Sequence, residues 1–254
     1  AKDRKQFGKA IIEFPAVYDM LATIKAKLDA GRALLYQTSR YVDIYKALDD
    51  IARERKLTPE ERQEQKRYAK LADSFTPLAK GMNSEYANQN AYDCIQVHGG
   101  SGFMMEYACQ RIYRDARITS IYEGTTQLQT VAAIRYVTNG AYAATLHEYE
   151  LIPCAPEFEG YLNRIKDMTR KLEACTNAVK EAQNQELLDF VARRLYEMAA
   201  VCVMSHLLLQ DATKAPELFA QSLNVYVNYA ESEVEKHFNF IRKFNAEELA
   251  SYRK

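Results

Sequence analysis

The chain has 254 residues, which is long enough to bury a sizeable core and fits one large domain or two small ones. Its 34 Lys and Arg balance 34 Asp and Glu, so it has no net positive field that would attract nucleic acids or anionic membranes. Five widely spaced cysteines without a C-x-x-C pair favour reduced thiols over disulfides or zinc, and no apolar run reaches the roughly 18 to 20 residues of a membrane span.

The first motif lies at the amino end, where the chain reads Ala1-Lys2-Asp3-Arg4-Lys5-Gln6-Phe7-Gly8. It starts without Met, without a signal-peptide core and without structure ahead of the motif, so we expect one piece of a longer chain. A cation and an aromatic side chain stand directly before a turn glycine. Arg4 could hold a diphosphate through paired hydrogen bonds, although such runs are more often solvated basic ends.

Two long helices are predicted next. Apolar residues recur every three or four positions over residues 14–50, which indicates one amphipathic helix. Thr58, Pro59 and Glu61 then form the pattern of a helix start, with Thr58 as the N-cap. The second helix should run over residues 59–98, because Gly99 and Gly100 follow it and glycine commonly ends helices.

A glycine-rich stretch closes the second helix and reads Gln96-Val97-His98-Gly99-Gly100-Ser101-Gly102. Its amide, imidazole and three glycines suit hydrogen bonding and close backbone approach to a polar cofactor. The pattern is not G-x-G-x-x-G and no strand precedes it, so a Rossmann site is excluded. By itself the stretch is equally a helix end and loop, and a lone histidine is more often structural than catalytic.

Shorter helical segments are predicted over residues 108–115 and from Thr125 or Thr126 to a stop near Gly140. The charged run between them reads Arg114-Asp115-Ala116-Arg117. We interpret this run as an ion-pair network that fixes the following loop, in preference to a ligand contact, because Arg–carboxylate pairs are common fasteners.

That loop and the helix start after it read Ile121-Tyr122-Glu123-Gly124-Thr125-Thr126-Gln127. Glu123 is the main candidate for a general base, because apolar neighbours would disfavour its charged form and the adjacent glycine lets a ligand come close. Free N–H groups at the helix start favour phosphate oxygens. The competing interpretation is a solvent-exposed glutamate near a helix start, which is the commoner case for an isolated E-G-T-T sequence.

Two prolines in residues 151–156 mark the best domain boundary, and three more helical patterns follow it. We therefore predict an all-α protein. An up-and-down four-helix bundle should occupy residues 1–150, and a smaller C-terminal helical domain should occupy residues 151–254.

Four motifs in a fixed order resemble the C-terminal half of the acyl-CoA dehydrogenase family. They are Arg4-Lys5-Gln6-Phe7-Gly8-Lys9, Gln96-Val97-His98-Gly99-Gly100-Ser101-Gly102-Phe103 with Glu106-Tyr107, Arg114-Asp115-Ala116-Arg117-Ile118, and Ile121-Tyr122-Glu123-Gly124-Thr125. The resemblance covers residues 1–140. It implies that the bundle is that of the family, that a helical and a β-domain precede residue 1, and that residues beyond 151 correspond to the extra domain of a longer, largely bacterial branch.

The resemblance also implies a chemistry. Glu123 matches the base that removes the α-proton of an acyl-CoA thioester while hydride leaves the β-carbon for N5 of FAD, and Gly124 matches the substrate-contacting glycine. The positions that match FAD contacts are Thr125, Thr126 and Gln127 in one subunit and Arg4, Gln6, Gln96, Val97, His98, Gly99 and Gly100 in its neighbour. Phe14 and Pro15 stand where many members have a cofactor-contacting glutamine, so that contact is not carried over.

The resemblance thus implies a cytoplasmic bacterial flavoenzyme, an acyl-CoA dehydrogenase that is a homodimer or homotetramer and passes electrons to an electron-transfer flavoprotein. No metal, nucleic acid or membrane span is expected. Two alternatives stay open: an acyl-CoA oxidase that uses oxygen, and a helical oligomerisation or interaction module without turnover. The isolated chain is expected to be inactive, because the missing domains would supply much of the flavin and acyl-CoA pocket.

Overall fold

The computed structural model describes residues 1–253, and most of them are helical. The α-helices are α1 (Pro15–Glu54), α2 (Pro59–His98), α3 (Gly100–Phe103), α4 (Ala108–Thr119), α5 (Thr126–Thr138), α6 (Ala141–Glu150), α7 (Glu159–Glu181), α8 (Gln185–Lys214) and α9 (Pro216–Lys243). Two short strands, β1 (Lys5–Gln6) and β2 (Lys9–Ala10), form an antiparallel hairpin at the amino end. The predicted all-α class is confirmed. The prediction did not include α3, α6 and the hairpin.

Helix α2 starts as its sequence predicts. Thr58 Oγ1 accepts a hydrogen bond of 3.2 Å from the backbone N–H of Glu61, and Glu61 Oε2 accepts one of 2.9 Å from the N–H of Thr58. Arg55 adds a two-pronged contact to the Glu61 carboxylate at 2.7 and 2.6 Å. The Arg55 guanidinium and the Thr58 N–H together lower the pKa of Glu61 to about 2. The capping box therefore fixes the turn between the two longest helices.

The two 40-residue helices α1 and α2 form an antiparallel pair with the most extensive helix–helix contact of the fold. Asn83 Nδ2 donates to the carbonyl of Gly31 at 3.2 Å, which is a close approach because a Cβ on Gly31 would overlap the Asn83 amide. Lys27 Nζ donates to Gln89 Oε1 at 2.6 Å near one end of the pair. The missing side chain at Gly31 makes room for the Asn83 amide between the two helices.

Helices α4 and α5 follow one another along α2, in the opposite direction to it. Ala116 in α4 accepts a hydrogen bond from Asn88, and Thr126 at the start of α5 contacts Glu85. Tyr142, just after α5, donates to the carbonyl of Ser74 at 2.5 Å. The residue numbers of these partners on α2 therefore decrease as the chain advances, which shows that α4 and α5 run antiparallel to α2. The two predicted helices together form one side of the bundle, and this side is interrupted at residues 120–125.

The remaining side of the bundle comes from α8, which packs against α1 and α5. Helices α7 and α9 flank α8, and one hydrophobic cluster extends from α1 and α2 through α8 and α9. Two tyrosines join the parts: Tyr196 Oη donates to the carbonyl of Pro77 at 3.0 Å, and the hydroxyls of Tyr86 and Tyr226 lie 2.9 Å apart. The domain boundary predicted at residues 151–156 stays a prediction. Within residues 1–253, no helix is long and apolar enough to cross a bilayer.

Candidate active site

The loop between α4 and α5 presents Glu123 at the surface. The N–H of Thr126 donates to the carbonyl of Ser120 at 3.1 Å, which closes the loop at its base. Glu123 has a φ of +49° and Gly124 a φ of +92°, so the chain reverses at the tip through two left-handed residues. Such a conformation is strained for a glutamate, and strain of this kind is concentrated at functional sites.

Side chains of α2 and α5 hold the tip of this loop by binding its inward-facing carbonyls. Lys80 Nζ, on α2, donates to the carbonyl of Gly124 at 2.5 Å. Gln129 Nε2, on α5, lies 3.4 Å from the carbonyl of Glu123 and 3.3 Å from that of Gly124. Since these carbonyls point into the protein, the peptide N–H groups are left for other partners. Within residues 1–253, the N–H groups of Glu123, Gly124 and Thr125 donate no hydrogen bond.

Thr125, one of the two N-cap positions that the sequence predicts, is the N-cap of α5. Its Oγ1 accepts a hydrogen bond of 3.4 Å from the N–H of Leu128. The hydroxyl of Thr126 is buried and donates to Glu85 Oε1 at 2.6 Å, so it binds the protein rather than facing outward. Gln127 is exposed on the first turn of the helix. Four of the predicted residues, Glu123, Gly124, Thr125 and Gln127, therefore lie together on one surface, and Thr126 is buried beneath them.

A groove of about 460 Å³ lies directly beside Glu123. Its walls are formed by small and apolar side chains of α1 and α2 and by the loop itself, and its lining includes Leu35, Thr38, Thr76, Ala79, Lys80, Asn83, Ser84, Ala87, Thr119, Tyr122 and Glu123. The sequence predictions did not anticipate this groove. Its volume lies within the range of pockets that hold small organic ligands.

The second set of predicted residues meets at the far end of α2. Arg4 Nη1 donates to the carbonyl of His98 at 2.7 Å, and a Cβ on Gly99 would lie 2.9 Å from the same nitrogen. The glycine is therefore needed for the guanidinium to lie across the helix end. His98 Nδ1 lies 2.8 Å from the carbonyl of Cys94. Gln6 is exposed on β1 in the adjoining hairpin, Gln96 and Gly100 are exposed at the helix end, and Val97 is half-buried.

The two sets of residues do not meet within one chain. Lys80, which binds the Gly124 carbonyl, and His98, which binds Arg4, lie on the same helix about 18 residues apart. At about 1.5 Å per residue this separates them by roughly 27 Å. The structure therefore forms two surfaces, a loop surface around Glu123 and a helix-end surface around Arg4 and Gly99.

The ion-pair network predicted around Asp115 is wrong. Among residues 1–253, Arg114, Asp115 and Arg117 form no salt bridge, and Arg117 instead donates to Ser120 Oγ. Arg117 still fastens the loop, because Ser120 accepts the Thr126 N–H. Arg117 therefore stabilises the loop through the hydroxyl and the backbone carbonyl of Ser120 rather than through an ion pair.

Sequence reasoning missed the residues that hold the loop from other elements: Lys80, Glu85 and Gln129. One feature of the sequence could have indicated Lys80: it is the only charged residue between Phe75 and Met82, in a stretch of small and apolar residues. In the described part of the chain, no group of three His, Cys, Asp or Glu side chains is arranged to hold a metal ion.

Two family descriptions match consecutive parts of the chain and together cover residues 1–249. "Acyl-CoA dehydrogenase, C-terminal domain" matches residues 1–137, and "Acyl-CoA dehydrogenase C terminal" matches residues 138–249.

Curated relatives are similar over part of the chain. The caffeyl-CoA reductase–Etf complex subunit CarC of Acetobacterium woodii is 36% identical over 129 residues, which cover 51% of this chain and 28% of that protein. Cyclohexane-1-carbonyl-CoA dehydrogenase of Geobacter metallireducens is 30% identical over 141 residues, covering 56% of this chain and 31% of that protein. The chain thus matches less than a third of the length of either relative.

Two solved structures share the fold. An acyl-CoA dehydrogenase from Bacillus anthracis, complexed with FAD, superposes with a TM-score of 0.73 at 21% identity, covering 99% of this chain and 46% of that one. Caenorhabditis elegans ACDH-11, in complex with C11-CoA, gives a TM-score of 0.65 at 18% identity and covers 90% of this chain and 38% of that one. At these identities the likeness establishes the fold alone.

Proposed function

Because the chain belongs to the acyl-CoA dehydrogenase family, we propose that it is the C-terminal part of a flavin-dependent oxidoreductase acting on the Cα–Cβ bond of an acyl-CoA thioester. One observation carries this proposal most directly. A carboxylate, unpaired peptide N–H groups and a groove with apolar walls lie side by side at the loop between α4 and α5.

In this proposal Glu123 removes a proton from the α-carbon of the thioester. An α-proton is weakly acidic, so the reaction needs donors where negative charge develops on the thioester oxygen. The unpaired N–H of Glu123 is such a donor, and it belongs to a loop tip that Lys80 and Gln129 hold by binding the carbonyls of Glu123 and Gly124. A bound acyl chain would cover the exposed carboxylate and exclude water, which makes Glu123 a stronger base.

The groove beside Glu123 would take the acyl chain. Its walls on α1 and α2 are mainly small side chains, among them Ala79, Ser84 and Ala87. Apolar carbons placed there would be removed from water, at a gain of about 0.8 kcal/mol per methylene. The width of the groove would then set which acyl groups are accepted.

The residues present fit FAD. Arg4 is exposed and forms no ion pair within residues 1–253, so its guanidinium keeps donors for a diphosphate. A Cβ on Gly100 would meet open space, so the helix end is free for a ligand to approach. Arg4, Gln6 and residues 96–100 would hold FAD at the helix-end surface, and Thr125 and Gln127 would hold it at the loop surface, with Thr126 buried beneath them and bound to Glu85. When bound, FAD supplies the acceptor for the hydride that leaves the β-carbon.

The roughly 27 Å between the two surfaces supports an oligomer. A single chain presents the helix-end surface far from its own Glu123, so a second copy could supply that surface to the loop of the first. We therefore propose a homodimer or homotetramer in which each FAD is held by two subunits. The proposal also explains why two sets of ligand-type residues occur at separate places on one chain.

The direction of the reaction and the electron partner are further parts of the proposal. One relative is a subunit of a complex named for Etf, which supports an electron-transfer flavoprotein as partner. Relatives named as a caffeyl-CoA reductase complex subunit and as a 3-(aryl)acrylate reductase favour a second candidate, reduction of an enoyl thioester or an acrylate. In that direction protonated Glu123 would return a proton to the α-carbon, because a reversible step uses the same groups both ways.

The test is a titration of the purified full-length protein with acyl-CoAs of different chain length and branching, followed by the flavin absorbance. Wild-type protein should be bleached by its substrate class. Glu123→Gln should keep FAD yet reduce it about a thousandfold more slowly, since a positioned base contributes roughly 10² to 10⁴. Glu217→Gln is the matched control, because Glu217 is also an exposed glutamate near a helix start, lies in α9 outside both surfaces, and forms no ion pair in residues 1–253.

The outcomes separate the candidates. Near-normal bleaching of Glu123→Gln would show that another group is the base. Protein without flavin, or flavin that no acyl-CoA bleaches, would favour the helical interaction module. Reoxidation of a pre-reduced flavin by enoyl-CoA that is much faster than bleaching of the oxidised flavin by the matching acyl-CoA would favour the reductase, and rapid reoxidation in air, measured by stopped flow, would identify the oxidase.

A further inference from the structure

A row of polar side chains connects the Glu123 loop with helices α8 and α9. Thr126 Oγ1 donates to Glu85 Oε1 at 2.6 Å, and Nη1 of Arg193, on α8, lies 3.6 Å from the same oxygen. Arg193 Nε donates to Glu197 Oε1 at 2.6 Å, and Glu197 Oε2 lies 2.8 Å from Nε2 of His237 on α9. We call these five residues the polar row.

The first member of the row controls the shape of the loop. Thr126 is only 2% exposed, and its N–H closes the loop by donating to the carbonyl of Ser120. Its hydroxyl is directed mainly to Glu85 at 2.6 Å, because the other acceptor within reach, the Ser120 carbonyl, lies 3.5 Å away. A shift of Glu85 would shift Thr126, and with it the base of the loop that carries Glu123.

The position of Glu85 depends on Arg193. Within residues 1–253, Arg193 is the only cation that pairs with Glu85, and both side chains are about one-third exposed. Without Arg193, the Glu85 carboxylate would gain more from water in the adjoining cleft of about 570 Å³ than from its single bond to Thr126. The cation therefore holds the carboxylate against the loop.

The far end of the row anchors Arg193. Although burial by itself raises the pKa of Glu197, His237 and Arg193 outweigh it and hold that pKa below its usual value. Glu197 thus stays ionised and holds the guanidinium by a charge-assisted hydrogen bond. Arg193 is therefore fixed from α8 and α9 before it contacts Glu85 on α2.

We propose that Arg193 and Glu85 are positioning residues for the Glu123 loop, and that helices α8 and α9 thereby contribute to the active site. Neither residue touches the reacting atoms. They act through Thr126 by holding the loop in the conformation that presents Glu123 and its N–H together. The inference rests on the proposed function for its kinetic arm, but the conformation of the loop can be measured without turnover.

The experiment uses the full-length protein with Arg193→Met, Thr126→Val and the double variant. The matched control is Arg164→Met, because Arg164 pairs with Glu231 at 2.6 Å with nearly the same exposures, 32% and 37%, but lies between α7 and α9 away from the loop. One readout is hydrogen exchange of the hydrogen-bonded amides of the loop, those of Ile121, Tyr122 and Thr126. The others are the flavin reduction rate at saturating substrate, the substrate Kd, the FAD content and the Tm.

Arg193→Met should speed exchange of these three amides and slow flavin reduction, each roughly tenfold, with substrate Kd and FAD content unchanged. The double variant should be no worse than Thr126→Val alone, because both changes break the same row. Thr126→Ser, which restores the hydroxyl, should recover most of the rate and the protection.

Several results would overturn the inference. If Arg193→Met matches Arg164→Met in both loop exchange and rate, Arg193 does not position the loop. A lower Tm or FAD content without faster loop exchange would show a structural role only. If wild-type flavin is reduced by no acyl-CoA, the proposed function fails, and the exchange measurement alone then decides whether the row holds the loop.

Discussion

Gly124→Ala tests whether the conformation of the loop tip is needed for the chemistry. Gly124 has a φ of +92°, where a side chain is disfavoured by roughly 1–2 kcal/mol. The new Cβ would also lie 2.9 Å from Gln129 Nε2, which must then give up its contacts to the carbonyls of Glu123 and Gly124. Those two long contacts add about 1 kcal/mol together. We expect a total loss of about 2–3 kcal/mol of stability.

Gly140→Ala is the matched control. Gly140 has a φ of +79°, but a Cβ there meets nothing within 4 Å. The Gly140→Ala variant should lose only the stability that the left-handed backbone conformation costs a side chain, about 1–2 kcal/mol, and should keep its rate of flavin reduction. Gly124→Ala should slow flavin reduction by roughly ten- to a hundredfold, since a misplacement of about 1 Å can cost that much.

The assay for this pair is stopped-flow flavin reduction at saturating acyl-CoA, with urea denaturation of the same samples. A rate for Gly124→Ala equal to that of Gly140→Ala would refute the reasoning, because it would show that Gln129 and the left-handed tip do not align Glu123. Equal losses of stability together with unequal rates would place the effect in the loop alone.

Two further predictions concern the groove and a buried histidine. Ala87→Phe, at the edge of the groove, should weaken binding of long acyl-CoAs by about tenfold and leave binding of short ones unchanged, because a ring there displaces about two methylenes. Equal effects on long and short acyl-CoAs in a binding titration would show that the acyl chain lies elsewhere. Burial lowers the pKa of His206 to about 4, so the unfolded chain takes up a proton below pH 6.5 while the folded chain does not, and stability should fall by roughly 3 kcal/mol between pH 6.5 and 4. His206→Phe should lose less stability over that window in urea denaturation, whereas a parallel loss would assign the effect to other groups.

The relation of sequence to fold is clearest where a few adjacent residues decide the structure. The Thr58 and Glu61 capping box starts α2 where the sequence predicts, and Thr125 caps α5. Both involve hydrogen bonds across three residues. The prediction around Asp115 failed for the opposite reason, because opposite charges adjacent in sequence need not face one another on a helix.

In the candidate site, too, the local motifs could be predicted from the sequence and the long-range contacts could not. The motif around Glu123 could be found from its residues, and so could the glycine-rich end of α2. The groove and the two separate surfaces could not, because they depend on how α1, α2 and the α4–α5 side pack. Lys80 reaches Gly124 from 44 residues away, and Arg4 reaches His98 from 94 residues away.

The sequence by itself thus determined the helical class, the main helix starts and the residues that carry the family likeness, because periodicity and capping act over about four residues. Only the tertiary structure decided that the interruption between α4 and α5 faces a groove, and that Arg193 of α8 supports its base through Glu85. The physical reason is that a carboxylate, a lysine and a guanidinium acquire their partners from the packing of distant helices, which local sequence does not specify.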